Sequence, residues 1–262
     1  ADVSYYGQWM QSEAQKRLGA YYPLATLPTE EKTMPPHQTT VVAWLWVRTA
    51  VCPNPSCRAQ MPLTSSFTLA QKQGRTTYVE PVVDRSLQPP TVQFTIRVGN
   101  GKPPEGTVKR NGATCVVCGS PVSLDYVHSE AQAGRLGSRL LAIAAEGTKG
   151  RTYLPPNPEH EHLAAAAKSP WGPEAELPAE SAANNVKRYG MHTFADLFTP
   201  RQLMAMTTLA DLVAEARTKV YRAAVAAGMR DDDHPLSAGG NGARAYAEAV
   251  SLYLALTVSK TA

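Results

Sequence analysis

Apolar residues recur at three- and four-residue spacing in the first stretch of the chain, at Val3, Tyr6, Met10, Ala14 and Leu18. That period predicts an amphipathic helix with Asp2 as its cap and Gly19 as its stop. The pattern then breaks. Pro23, Pro28, Pro35 and Pro36 make residues 21–38 a loop. From Thr39 the chain becomes β-branched and aromatic, and strands are expected over residues 41–51, 64–69, 76–83 and 91–98. Turn-formers such as Gly99-Asn100-Gly101 and Asn111-Gly112 separate them. The short run 139–145 suits strand or helix, and a strand is expected.

Helical signals return in the last third. Pro158 behind Asn157 sits where a first-turn proline costs no hydrogen bond, which opens a short helix to about residue 168. Residues 169–185 read as loop. Thr199-Pro200-Arg201-Gln202 is a capping-box pattern, with the threonine hydroxyl aimed at the Gln202 amide. The helix behind it should run to about residue 227, stop at Gly228, and bury a stripe of Leu203, Met206, Leu209, Leu212, Val213 and Ala216. A last helix is expected over residues 243–258.

Composition narrows the class. Hydrophobic residues make up 43% of 262, enough for a packed core and against disorder. The longest strongly apolar run, residues 41–47, is far short of the roughly 20 residues a spanning helix needs. No secretory start precedes it, so a soluble, cytoplasmic protein with no membrane partner is expected. The chain starts at Ala1 and stops just past an apolar helical pattern, which suggests a piece of a longer protein. The net charge of +4 is too small to announce a nucleic-acid binder. Its distribution says more: residues 50–150 carry eleven Lys and Arg, Lys149 among them, against six acids.

All four cysteines fall in two close pairs, Cys52-Pro-Asn-Pro-Ser-Cys57 and Cys115-Val-Val-Cys118. A pair on a tight turn aims two sulfurs at one point, and two such turns complete a tetrahedral shell, for which zinc is the expected occupant. Gly119 supplies permissive backbone behind the second pair. The 57 intervening residues add little, because closure entropy grows only with the logarithm of loop length. With four cysteine ligands no position is left for water or substrate, so the ion is structural. The same ligands also permit an iron–sulfur cluster, and a disulfide pair, free thiols or His128 as a replacement ligand are alternatives. The expected fold is α+β: a four-cysteine, zinc-ribbon-like antiparallel β middle flanked by helices, with long C-terminal helices. The segments are 1–38, 39–153 and 154–262.

Other constellations have plainer readings. His160 and His162 are two apart in a helix and cannot share a face, while Glu159 and Glu161 suit a helix start. Trp44 and Trp46 lie on one side of a strand and are expected in the core, the alternative being a base-stacking platform. Asp231-Asp232-Asp233-His234 reads as a solvated turn, and Gly239-Gly240-Asn241-Gly242 as a flexible helix entry. No Walker loop, Gly-x-Ser-x-Gly, His-Glu-x-x-His or Asp-Pro-Pro-Tyr pattern occurs. No self-sufficient active site is expected.

Several segments together carry a resemblance. They are Tyr5-Tyr6-Gly7-Gln8-Trp9-Met10, Ala43-Trp44-Leu45-Trp46-Val47-Arg48-Thr49 leading into Cys52-Pro53-Asn54-Pro55, Glu80-Pro81-Val82-Val83-Asp84, and Gly106-Thr107-Val108 running to Ala113-Thr114-Cys115-Val116-Val117-Cys118-Gly119. With Ala133-Gly134-Arg135-Leu136-Gly137, Phe198-Thr199-Pro200-Arg201-Gln202-Leu203 and Gly242-Ala243-Arg244-Ala245-Tyr246, they span most of the chain. The whole resembles the large adenine-specific DNA methylases that carry an embedded zinc ribbon, some associated with phage defence. The resemblance implies that this chain is the insertion between an upstream glycine-rich cofactor motif and a downstream Asp-Pro-Pro-Tyr motif. Cys52, Cys57, Cys115 and Cys118 carry over as the ribbon's metal ligands, and no catalytic residue carries over. S-adenosylmethionine would belong to the parent protein alone. The expected partners are DNA, as a duplex, and the remainder of the methylase. Arg58, Lys72, Arg75, Lys109, Arg110, Arg135 and Arg139 are the candidate nucleic-acid contacts. The alternative role is a non-catalytic protein-interaction scaffold of a defence complex.

Overall fold

A computed structural model describes residues 1–27, 37–72, 74–147, 150–178 and 183–261. Part of the first expected loop (28–36), part of the second (179–182), and Lys149 lie outside these. In chain order, helix α1 spans Asp2–Leu18 and is followed by strands β1 (Ala25–Leu27), β2 (His37–Thr39), β3 (Val41–Val51) and β4 (Gln60–Leu63). Strands β5 (Thr68–Lys72), β6 (Arg75–Asp84), β7 (Thr91–Gly99), β8 (Val108–Lys109), β9 (Gly112–Thr114) and β10 (Pro121–Val122) come next. Then come α2 (Leu124–Gln132), β11 (Gly137–Gly147), β12 (Gly150–Leu154), α3 (Pro158–Ala166), α4 (Ala183–Lys187), α5 (Pro200–Ala226) and α6 (Ala243–Thr261). The fold is α+β with long C-terminal helices, and every named strand pairing is antiparallel.

Two compact units result. One is β-rich, Pro23–His162 with Ala175–Phe194; the other is helical, Ala1–Tyr22, Leu163–Glu174 and Ala195–Ala262. The first helix therefore shares a unit with the C-terminal helices, although most of the chain's length separates α1 from α5.

In the β-rich unit the central sheet has the order β12-β11-β3-β4. Its strand β11 contains the unbroken buried run Leu140 to Ala145, because a strand covered on both faces needs apolar side chains at every position. Leu140 and Ile143 pack with Trp44 and Trp46 on one side, while Leu141 and Ala142 join Val47 on the other. The tryptophans are thus core-packing residues, opposite Ile143 and Leu140 in register. Two expectations need correction here. Residues 64–69 are not one strand: β4 ends at Leu63 and β5 begins at Thr68. Between them the Thr64 hydroxyl donates to the Ser66 carbonyl at 2.7 Å, closing a turn that competes with extended pairing. Helix α2 is not among the expected elements; its clearest local signal is Ser123, whose hydroxyl caps the Tyr126 amide at 3.1 Å.

In the helical unit α1, α5 and α6 enclose Met10, Leu212, Ala216, Val220, Ala247, Val250 and Leu254. The expected capping box on α5 is formed: Gln202 N donates to Thr199 Oγ1 at 3.3 Å and Thr199 N to Gln202 Oε1 at 2.9 Å. Gly228, at φ 84°, ends this helix as expected. Ala1, not Asp2, stands at the α1 cap, and Asp2 lies in the first turn, where its charge suits the positive helix end. The buried stripe of α5 also begins differently from the expected one. Its first two turns bury Arg201, Met204 and Thr207, with Leu203 and Met206 only half-buried. Burial of Arg201 is balanced by a 3.0 Å bond to the Tyr21 carbonyl and by stacking 4.8 Å from the Tyr22 ring centre, and it holds the guanidinium below its usual range.

Candidate metal centre

Each cysteine pair sits on a turn between antiparallel strands, and the two turns close in the same way. In the first, between β3 and β4, the Cys52 amide donates to the Ala59 carbonyl at 2.9 Å. In the second, between β9 and β10, the Cys115 amide donates to the Ser120 carbonyl at 3.0 Å. The acceptor is in both cases the second residue after the second cysteine. The residue immediately after that cysteine is left-handed in both: Arg58 at φ 52° and Gly119 at φ 76°. Gly119 takes this conformation without strain, whereas an arginine Cβ crowds its own backbone there.

These turns bring the four thiols to one place, all within 4.8 Å of one another. Two approaches run between the turns, 3.7 Å for Cys52 with Cys118 and 3.9 Å for Cys57 with Cys115. A tetrahedron with metal–sulfur bonds of about 2.3 Å has edges of about 3.8 Å, so the spacing fits a single ion. It is far beyond the bonded distance of about 2.05 Å in a disulfide. Cys52, Cys57 and Cys115 are buried, and Cys118 is exposed. The cluster could therefore hold a metal ion, closed on three sides by protein.

Burial and polar neighbours act oppositely on three of the sulfurs. Burial pushes the Cys52 and Cys115 thiols up. Cys118 moves the other way, to about 6, chiefly through Ser120. The Ser120 hydroxyl lies 3.3 Å from Cys118 Sγ and accepts from Asn54 Nδ2 at 3.1 Å, which leaves its own proton free to turn towards a thiolate. The Asn54 amide also approaches Cys118 Sγ, at 3.9 Å. Arg85 donates to the Val117 carbonyl at 2.9 Å and braces the second turn from outside. Asn54, Ser120 and Arg85 were not singled out from sequence. Asn54, between two prolines of the first turn, was the readable one, since its carboxamide oxygen also accepts from the Ser56 amide.

The remaining site expectations divide. His128 is apart from the thiols, edge-on to Tyr189 with ring centres 5.1 Å apart. His160 is buried and accepts from Trp44 Nε1 at 2.9 Å, and Glu161 accepts from the Leu140 amide. Asp231, Asp232 and Asp233 bind Tyr221, Arg230 and Arg244 respectively. Of the seven basic candidates, Arg139 is half-buried and paired with Glu161 at 3.0 Å, Arg135 is paired with Glu130 at 2.7 Å, and Lys109 with Glu105 at 2.8 Å. Arg58, Lys72, Arg75 and Arg110 are exposed and have no ion pair among the described residues. Lys72 and Arg75 face each other across the β5–β6 hairpin end.

No helix among the described residues is long and apolar enough to cross a membrane. No family model, curated protein or solved structure matches the chain.

Proposed function

We propose that the β-rich unit is a structural zinc module whose exposed cations contact duplex DNA, within a larger DNA-modifying protein. The observation that carries this reading is the meeting of two like-closed cysteine turns with sulfur spacings of 3.7 and 3.9 Å. Four thiolates and no open position suit zinc held for structure rather than for chemistry. The DNA part is supported by Arg58, Lys72, Arg75 and Arg110, exposed cations without an ion pair among the described residues. Placement beside an adenine methylase core rests on the sequence motifs alone. Elemental analysis for zinc and iron, before and after chelation, tests the first part; one zinc per chain is expected, and iron or no metal overturns it. Salt-dependent binding to duplex DNA tests the second. If about four phosphates are contacted, log affinity falls with log salt at a slope near -3.6. Salt-independent binding, or none, removes the DNA role.

A second reading, a protein-interaction scaffold, is favoured by α6. Its inner face packs in the helical core, but Leu252, Tyr253 and Leu256 are each more than half exposed. A helix apolar on both sides is ordinarily covered on both. Self-association without DNA affinity would favour this reading over the first.

A further inference from the structure

A pocket of about 300 Å³ lies in the β-rich unit, and none of the four thiols lines it. Its walls come from several parts of that unit, among them Arg48 on β3, Leu63 at the end of β4, Val127 on α2, and Met191 and Tyr189 on the segment behind α4. This last segment is fixed by the fold rather than draped over it. Gln132 Nε2 bonds the Lys187 carbonyl, the His128 ring meets Tyr189 edge-on, and Gly190, at φ 77°, lies so close to the Ala131 carbonyl that any Cβ would collide with it. The pocket is therefore formed before any ligand arrives.

The lining is mostly apolar, and its polar members share one property. Arg48 and Ser65 have no side-chain hydrogen-bond or ion-pair partner among the described residues. Arg48 is exposed and unpaired like Arg58, Arg75 and Arg110, but of these four it alone lines the pocket. The Tyr189 hydroxyl likewise has no partner among the described residues. A guanidinium only donates, and two hydroxyls can donate alongside it. Apolar walls with a few polar groups among them are the composition of a small-molecule site, and the volume is at the lower end of the range of about 300–1,000 Å³. We propose that this pocket binds a small organic carboxylate with an apolar body, the carboxylate on Arg48 and the hydrocarbon against Val127 and Met191. A carboxylate matches the guanidinium fork with two parallel bonds, and the walls repay desolvation of the body. This site is independent of the DNA reading.

The test uses the full chain and methyl NMR with benzoate, its neutral isostere benzamide, octanoate and inorganic phosphate as probes. Benzoate or octanoate should shift the Val127 and Met191 methyls in a saturable way, benzamide should bind roughly tenfold more weakly, and phosphate should leave the methyls unmoved. Arg48→Gln should weaken the carboxylate by roughly tenfold while Arg48→Lys retains part of it, with metal content unchanged in both. Val127→Phe, which fills the pocket, should abolish the shifts. Equal binding of benzoate and benzamide, indifference to Arg48→Gln, or no methyl shift with any carboxylate at millimolar concentration overturns the proposal. The metal content of the same samples reports separately on the zinc reading.

Discussion

Around Cys52 the β-rich unit closes its core with three buried thiols among Val47, Met61 and Phe67, whereas around Leu212 the helical unit closes its core with aliphatic and aromatic side chains and no thiol. The strands around the second cysteine turn are short: β8 and β10 have two residues each and β9 has three. Strands of that length contribute few ladder bonds and little buried area, so something besides packing must hold them. Helix α5, with 27 residues, a full capping box and a buried stripe, carries its own reasons to form. On the zinc reading proposed above, one region depends on what it binds and the other on what it buries.

The largest effect expected follows from that dependence. Structural zinc contributes about 10–16 kcal/mol of apparent binding energy in small modules, so Cys115→Ser or chelation should expose residues 52–63 and 107–122 to hydrogen exchange. Protection in α5 and α6 should persist. Uniform loss in both units, or none in either, would erase the contrast. The converse experiment is Leu212→Ala, which empties a fully buried position of the helical core. It should destabilise that unit by about 2–5 kcal/mol and leave bound metal unchanged. Coincident metal release would show that the units do not separate in this way.

Smaller changes sharpen the picture inside the β-rich unit. Arg58→Gly should raise its melting temperature, since a left-handed arginine costs about 1–2 kcal/mol that glycine avoids. It should also lower DNA affinity, and a melting point that falls would refute the likeness of the two turns. The smallest effect concerns Glu130, which is buried and held below the usual carboxylate range chiefly by Arg135. A carboxylate lowered in the folded state contributes stability that is complete above its unfolded value of 4.5 and is lost as pH falls through the folded one. Because Arg135 is largely exposed, solvent screens much of the pair. Glu130→Gln should flatten the acid limb of stability below pH 4.5; an unchanged limb would place the acid sensitivity elsewhere.

Much of this was legible in short stretches of sequence. The cysteine turns, the Thr199 cap, the Gly228 stop and the strand at β11 each depend on residues within a few positions of one another. Helix α2 escaped notice because nine residues are too few to establish a period, and the split of β4 from β5 because the turn chemistry of Thr64 resembles strand composition. The early stripe of α5 differs for another reason: Arg201 and Thr207 are polar, and their burial is made tolerable by Tyr21 and Tyr22 for the arginine and by Ser169 and the Leu203 and Met204 carbonyls for the threonine.

The basic residues mark the boundary most clearly. Sequence alone determined that cations crowd residues 50–150 and that two thiol pairs stand ready for one ion, since both are properties of composition and spacing. Which cations remain available was decided only when the chain folded. Arg139 meets Glu161 from 22 residues away and Arg135 meets Glu130 across a helix end. Such pairs depend on strand register and helix placement, set by burial of whole elements rather than by the residues that come to meet.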